Sequence, residues 1–167
     1  MNVGQTANAL NTWFEISQFL YREAALLDAR DWTGWGSLFT SEGRYWMPAR
    51  GEQPDTDTEV SLINDSPLLR EIRLARLRER DAPSLQGSPR SSHLVSNIQV
   101  TASDDVTGNY VVQSRFAVSQ FTQWGTQTFQ GGYVHSLTRV EGALKIALKR
   151  VDLVDVEGPL GDIVTIL

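Results

Sequence analysis

His93 and His135 are the only imidazoles in the 167 residues, and cysteine is absent. An imidazole oriented by a carboxylate is a competent general base near neutral pH. The pair whose types and places permit that chemistry is Asp31, just after the first expected helix, with His93, at the start of an expected sheet. A structural reading uses the same residues differently: Asp31 caps a helix, and His93 hydrogen-bonds backbone near Arg90. His135 falls in phase with Phe129, Tyr133 and Leu137, which sets it among aromatic and apolar neighbours as a satisfied core histidine. A 2-His-1-carboxylate iron site would need both imidazoles, and neither has a His-x-Asp or Asp-x-x-x-x-His pairing around it. Without cysteine there is no disulfide, no thiolate zinc site and no Rieske cluster, which takes two Cys and two His. Beyond the Asp31 and His93 alternative, the sequence offers no catalytic set, cofactor site or metal site.

The elements that must position these residues are legible from periodicity. Leu10, Trp13, Leu20, Ala24 and Leu27 fall at three-four spacing and predict a helix over 6–28. Asp31 has the short carboxylate of an N-cap, opening a second helix whose Trp32, Trp35 and Phe39 share a face. Gly34 and Gly36 keep that helix short. Ser41-Glu42-Gly43 reads as a turn, and Arg44 to Met47 as a strand stopped by Pro48. Residues 51–58 are a loop. Ser66 and Pro67 form an N-cap and N1 pair for a third helix over 68–80. After a loop over 82–92 the period becomes two, with strands at 93–101, 110–124, 126–140 and 143–154. In the first of these, Leu94, Ile98 and Val100 share a side. Turns fall at 104–109, at Gly125 and at Glu141-Gly142. Helices first and long antiparallel strands afterwards give an α+β domain.

Composition narrows the function. A chain of this length with 41% apolar residues fits one domain, which buries about two-thirds of its unfolded surface. The net charge of −5 argues against nucleic acid, whose phosphates need a positive footprint. Arg70, Arg73, Arg76, Arg78 and Arg80 cluster, but Glu71, Glu79 and Asp81 are interleaved, as on a solvated or inter-subunit helix face. No apolar run approaches the roughly 20 residues of a membrane span, and residues 1–10 lack the pattern of a signal peptide, so a cytoplasmic protein is expected. The tryptophans at 32, 35, 46 and 124 suit a core, while Trp46 and Met47 on an edge-like strand could also anchor a partner.

Several segments carry a family resemblance. They are Leu26 to Trp35 with Leu38-Phe39 and Gly43 to Arg50; Glu59-Val60-Ser61-Leu62-Ile63 before the third helix; Arg90-Ser91-Ser92-His93-Leu94-Val95-Ser96-Asn97; Phe129-Gln130-Gly131; and Leu144 to Val151. In this order the chain resembles the β (small) subunits of bacterial aromatic-ring-hydroxylating dioxygenases of the Rieske non-haem iron type, within the nuclear transport factor-like superfamily. The resemblance implies a cone-shaped α+β roll, with three N-terminal helices packed on a strongly curved, mainly antiparallel sheet, as a single domain over 1–167. It implies a structural subunit of an enzyme that cis-dihydroxylates an aromatic ring, with the segment at 59–63 similar to benzoate- and toluate-type members. The Rieske 2Fe-2S cluster and mononuclear iron would sit on a partner α subunit in an α3β3 hexamer that also brings copies of this chain together. The superfamily offers an alternative, a free-standing dehydratase, isomerase or cyclase of the scytalone dehydratase or polyketide cyclase type using Asp31 and His93. A non-catalytic ligand-binding cone is a third possibility.

Overall fold

The computed structural model describes residues 3–54, 59–80, 89–104 and 106–167. Along them run α1 (Val3–Asp28), α2 (Trp32–Gly36), β1 (Phe39–Pro48), β2 (Ser61–Asp65), α3 (Pro67–Arg80), β3 (Arg90–Asp104), β4 (Asn109–Thr122), β5 (Gly125–Val140) and β6 (Ala143–Leu153). The strands make one open sheet in the order β2-β1-β6-β5-β4-β3, antiparallel at every pairing except β1 with β6. Ile16, Leu20 and Leu27 of α1, Trp32 and Trp35 of α2 and Leu74 of α3 join the inward residues of the strands in one core. This is the α+β roll expected from helices followed by long strands.

Two bulges set which side chains reach that core. In β3 the pairing with β4 shifts between Ser96 and Gln99, and Asn97 takes a left-handed φ of 53°, a conformation Asn tolerates better than most residues. The shift turns His93 and Val95 inward before it, and Ile98 and Val100 after it. Leu94, expected to share a side with Ile98 and Val100, is exposed instead. In β6 the pairing with β5 shifts between Ser136 and Leu137, whose partners are Leu148 and Ile146. One extra residue reverses the alternation, so Lys149 points into the core where strict alternation from Leu144 and Ile146 would have placed Leu148.

Other expectations need correcting. The buried stripe of α1 is Ile16, Leu20, Glu23 and Leu27, whereas Leu10 and Trp13 are exposed. Spacing of 4, 3 and 4 is regular, but a glutamate occupies a position where an apolar residue was sought. Phe39 belongs to β1, not α2, and packs edge-on against Trp35 with ring centroids 4.8 Å apart. Ser41-Glu42-Gly43 is not a turn but an irregular stretch within β1, where its register with β6 shifts between Phe39 and Arg44. Trp46 and Met47 are core residues: Trp46 donates to Ser61 Oγ at 2.9 Å and lies under the Arg150 guanidinium. Trp124 is 87% exposed. Strand β2 was not anticipated. Parts of two expected loops, residues 55–58 and 82–88, lie outside the described residues.

Candidate functional site

The polar centre of the cone is Glu23. Its Oε1 accepts from Trp35 Nε1 at 3.1 Å and from Lys149 Nζ at 2.9 Å, and His135 Nε2 donates to Oε2 at 3.0 Å. The three ionisable side chains come from α1, β6 and β5, and at most 4% of any of them is exposed. Burial pushes the Glu23 carboxyl up, but Lys149 and His135 together outweigh it and hold the group well below the usual carboxylate range. Burial pulls the Lys149 ammonium down, and Glu23 resists that fall. The ammonium also sits 4.5 Å from the Tyr133 ring centroid, a cation–π contact. Burial, helped by Glu23, raises the Tyr133 phenol. Ser114 Oγ, Tyr133 OH and His135 Nδ1 are buried without a hydrogen-bond partner among the described residues. A carboxylate this well supplied with donors is a weak base, and the cluster ties α1 to β5 and β6.

His93 does have a carboxylate partner, and it is Asp28. Asp28 Oδ1 lies 2.6 Å from His93 Nδ1, and both carboxylate oxygens accept from the His93 backbone N–H at 3.1 Å. His93 Nε2 donates to the Ile166 carbonyl at 3.0 Å. Burial, and more weakly the nearby Lys149 charge, pull the imidazole below its ordinary range, and the Asp28 bond offsets only part of that fall. Both ring nitrogens are thus engaged within the chain. Asp31 does not reach His93: its carboxylate accepts from the Gly34 N–H at 2.8 Å and caps α2, as the structural reading had it.

The histidines cannot share a metal. His93 stands across from Val118, which stands across from Phe129, and Phe129 lies six residues before His135 along β5; at about 3.3 Å per residue that is roughly 20 Å of strand. Among the described residues no group of three or more His, Asp or Glu is placed to hold a metal ion. Sequence reasoning found both histidines but missed Glu23, Asp28 and Lys149. The i, i+4 and i+7 positions 16, 20 and 23 were the available signal for Glu23; nothing in the sequence marked the bulge that turns Lys149 inward.

Known proteins resemble this chain in sequence and in fold. The sequence profile of the family described as ring hydroxylating beta subunit matches residues 22–156. The small oxygenase component of the p-cumate 2,3-dioxygenase system of Pseudomonas putida is 32% identical over 145 residues, covering 85% of this chain and 79% of that protein. The β subunit of benzoate 1,2-dioxygenase from Acinetobacter baylyi is 34% identical over 96 residues, 54% of this chain and little more than half, 56%, of that protein's length. Among solved structures, the β subunit of benzoate 1,2-dioxygenase from Burkholderia mallei superposes with a TM-score of 0.71 at 25% identity, over 89% of this chain and 93% of that one.

Proposed function

Because the chain belongs to the ring hydroxylating β subunit family, we propose that it is the small, structural subunit of a multicomponent aromatic-ring dioxygenase, itself without catalytic residues. The observation that carries this reading is the family match across residues 22–156. It is supported by the interior, where His93 and Glu23 spend their acid–base capacity on internal contacts. The assembled enzyme adds both atoms of O2 to an aromatic ring and, with two protons and two electrons delivered by a separate reductase component, releases a cis-dihydrodiol. Its Rieske cluster and mononuclear iron belong to a larger α subunit, since this chain has no cysteine to hold a Rieske cluster and its two histidines are separately engaged. We assign the whole chain to one domain and the complex to an α3β3 hexamer in the cytoplasm; no helix described is long and apolar enough to cross a membrane. The relatives named for p-cumate and benzoate favour an aromatic carboxylate as substrate, bound in a pocket of the α subunit.

The surface offered to the partner lies along β2 and α3, within the stretch that carries the family match. There Val60, Leu62, Leu68, Leu69 and Ile72 are exposed, and β2 is an edge strand. The test is co-expression with a Rieske-type large subunit. The two chains are expected to purify together and to consume O2 with benzoate-like acids faster than with neutral arenes. The small chain expressed alone should carry no stoichiometric iron by metal analysis. About one tightly bound iron per small chain, or dehydratase or isomerase turnover by the chain alone, would overturn the reading.

A further inference from the structure

The segment after β6 contains no helix or strand in its last residues, 159–167, yet Ile166 and Leu167 are buried in the core. What holds this segment is a set of side chains on the inner face of the sheet that contact its main chain. Gln120 of β4 donates through Nε2 to the Asp162 carbonyl at 2.9 Å, and its Oε1 accepts from the N–H groups of Val164 at 2.9 Å and Thr165 at 3.2 Å. His93 of β3 donates to the Ile166 carbonyl at 3.0 Å. The Tyr45 hydroxyl of β1 accepts from the Leu167 N–H at 3.3 Å and lies the same distance from the Leu167 carbonyl, to which it donates. Gln120, His93 and Tyr45 are themselves at most 8% exposed.

This arrangement is how a protein recognises an extended peptide: side chains satisfy main-chain donors and acceptors, and apolar pockets take the side chains between them. The segment also carries the aliphatic residues that fill such pockets, with Leu160 and Ile163 packed against the core alongside the buried Ile166 and Leu167. Asp28 fixes the His93 ring from behind, so that the donor facing Ile166 is set in place independently of the segment. Nothing in the proposed role of a structural subunit requires this recognition.

We propose that the inner face of the cone is a peptide-binding site, built from Gln120, His93 and Tyr45, which residues 162–167 occupy in cis and which binds an extended aliphatic peptide of the same kind in trans when they are withdrawn.

The test inserts a specific protease site between Gly158 and Pro159, both exposed, and cuts the folded chain. The released fragment is expected to stay with the body through gel filtration and to be displaced by a labelled synthetic peptide of residues 161–167. The uncut chain should not bind that peptide. N-methylation of the peptide at Val164 and Thr165 removes the donors to Gln120 without altering the body, and should weaken binding about tenfold or more. A scrambled peptide should not bind, and Gln120→Ala in the cut protein should match the N-methylated peptide. Three results would overturn the proposal: loss of the folded circular dichroism signal on cutting, which makes the segment plain core; a folded body that fails to rebind the peptide; or an N-methylated peptide that binds as tightly as the parent.

Discussion

Glu23 and Lys149 share the interior because each makes the other's burial tolerable. Removing one charge of a buried pair leaves the other uncompensated, at about 3–5 kcal/mol, whereas replacing both with neutral groups of similar size is often nearly neutral. Lys149→Met alone should therefore destabilise severely, and Lys149→Met with Glu23→Gln should recover most of the loss, as read from urea midpoints of the four proteins in a double-mutant cycle. The same pair predicts a pH dependence with a definite sign. Glu23 has a folded-state pKa held below its ordinary 4.5, so the unfolded chain takes up the proton first as pH falls. Its contribution is complete above pH 4.5 and is lost progressively below it; the double variant should show a shallower acid decline, and an unchanged slope would contradict the assignment. For His93, both ring nitrogens serve structure, so His93→Gln should leave the activity of the assembled complex within a few-fold of the parent. A general base contributes about 10²–10⁴-fold, and a loss of that size in an intact complex, matched by Asp28→Asn, would restore a catalytic role. The sequence displayed His93 plainly but not its partner, because Asp28, the last residue of α1, and Asp31, the cap of α2, are both short carboxylates and only the path of the chain decides which one faces the sheet.

At the scale of elements, nearly every helix and strand could be read from its period and its stop signals. The N-cap and proline of α3 and the last hairpin turn fall where Ser66, Pro67 and Glu141-Gly142 place them, while the turn expected at Gly125 lies at Gln123-Trp124 and Gly125 opens β5. Facing was less legible than existence. Side-chain direction in a strand has period two, so the single extra residues near Asn97 and Ala147 invert the side chains after them, in β3 as far as a second shift between Val100 and Ala102, and composition gives no warning of such an insertion. The same limit hid β2, a strand of five residues at the sheet edge with mixed burial. A Phe-x-Gly segment shows the reverse, a local feature whose reason appears only in the fold. A Cβ on Gly131 would lie 2.0 Å from the Asp152 carbonyl oxygen and 2.8 Å from the Phe116 ring, which stacks on Tyr133 at a centroid distance of 4.2 Å. Gly131→Ala must push β6 away or break that stack. We expect a loss of about 1–3 kcal/mol or more, the usual range for overpacking, measured as a lowered denaturation midpoint with far-ultraviolet circular dichroism retained; a midpoint equal to the parent would mean that β5 and β6 are not this close at Gly131.

For the whole molecule, sequence patterns identified an α+β roll and its family, but two of the residues they offered to a partner, Trp46 and Met47, are buried. Trp46 and Met47 look like interface anchors because aromatic residues and methionine are favoured there, yet the pairing of β1 between β2 and β6 buries both. The Trp46 ring lies under the Arg150 guanidinium and donates to Ser61 Oγ, so its face is already covered within the chain. The arginine-rich helix divides in the same way: Arg70 turns inward to the Gly43 carbonyl and over the Phe39 ring, and Arg73 pairs with Asp65. The leucines at the start of α3 stay outside, with Leu68 70% exposed. Apolar side chains grouped on adjacent elements gain from being covered by a partner, and a charge placed among them should cost the complex and spare the fold. Leu68→Glu is therefore expected to lower the amount of large oxygenase subunit recovered with this chain by gel filtration, with the circular dichroism and melting temperature of the isolated chain unchanged. Trp46→Glu should do the opposite, losing folded signal in the isolated chain, because it forces a carboxylate into a site 3% exposed to solvent. If Leu68→Glu assembles as well as the parent, the partner surface lies elsewhere than on β2 and α3; if Trp46→Glu folds and only assembly fails, then Trp46 is the anchor and its burial in the isolated chain has been misjudged.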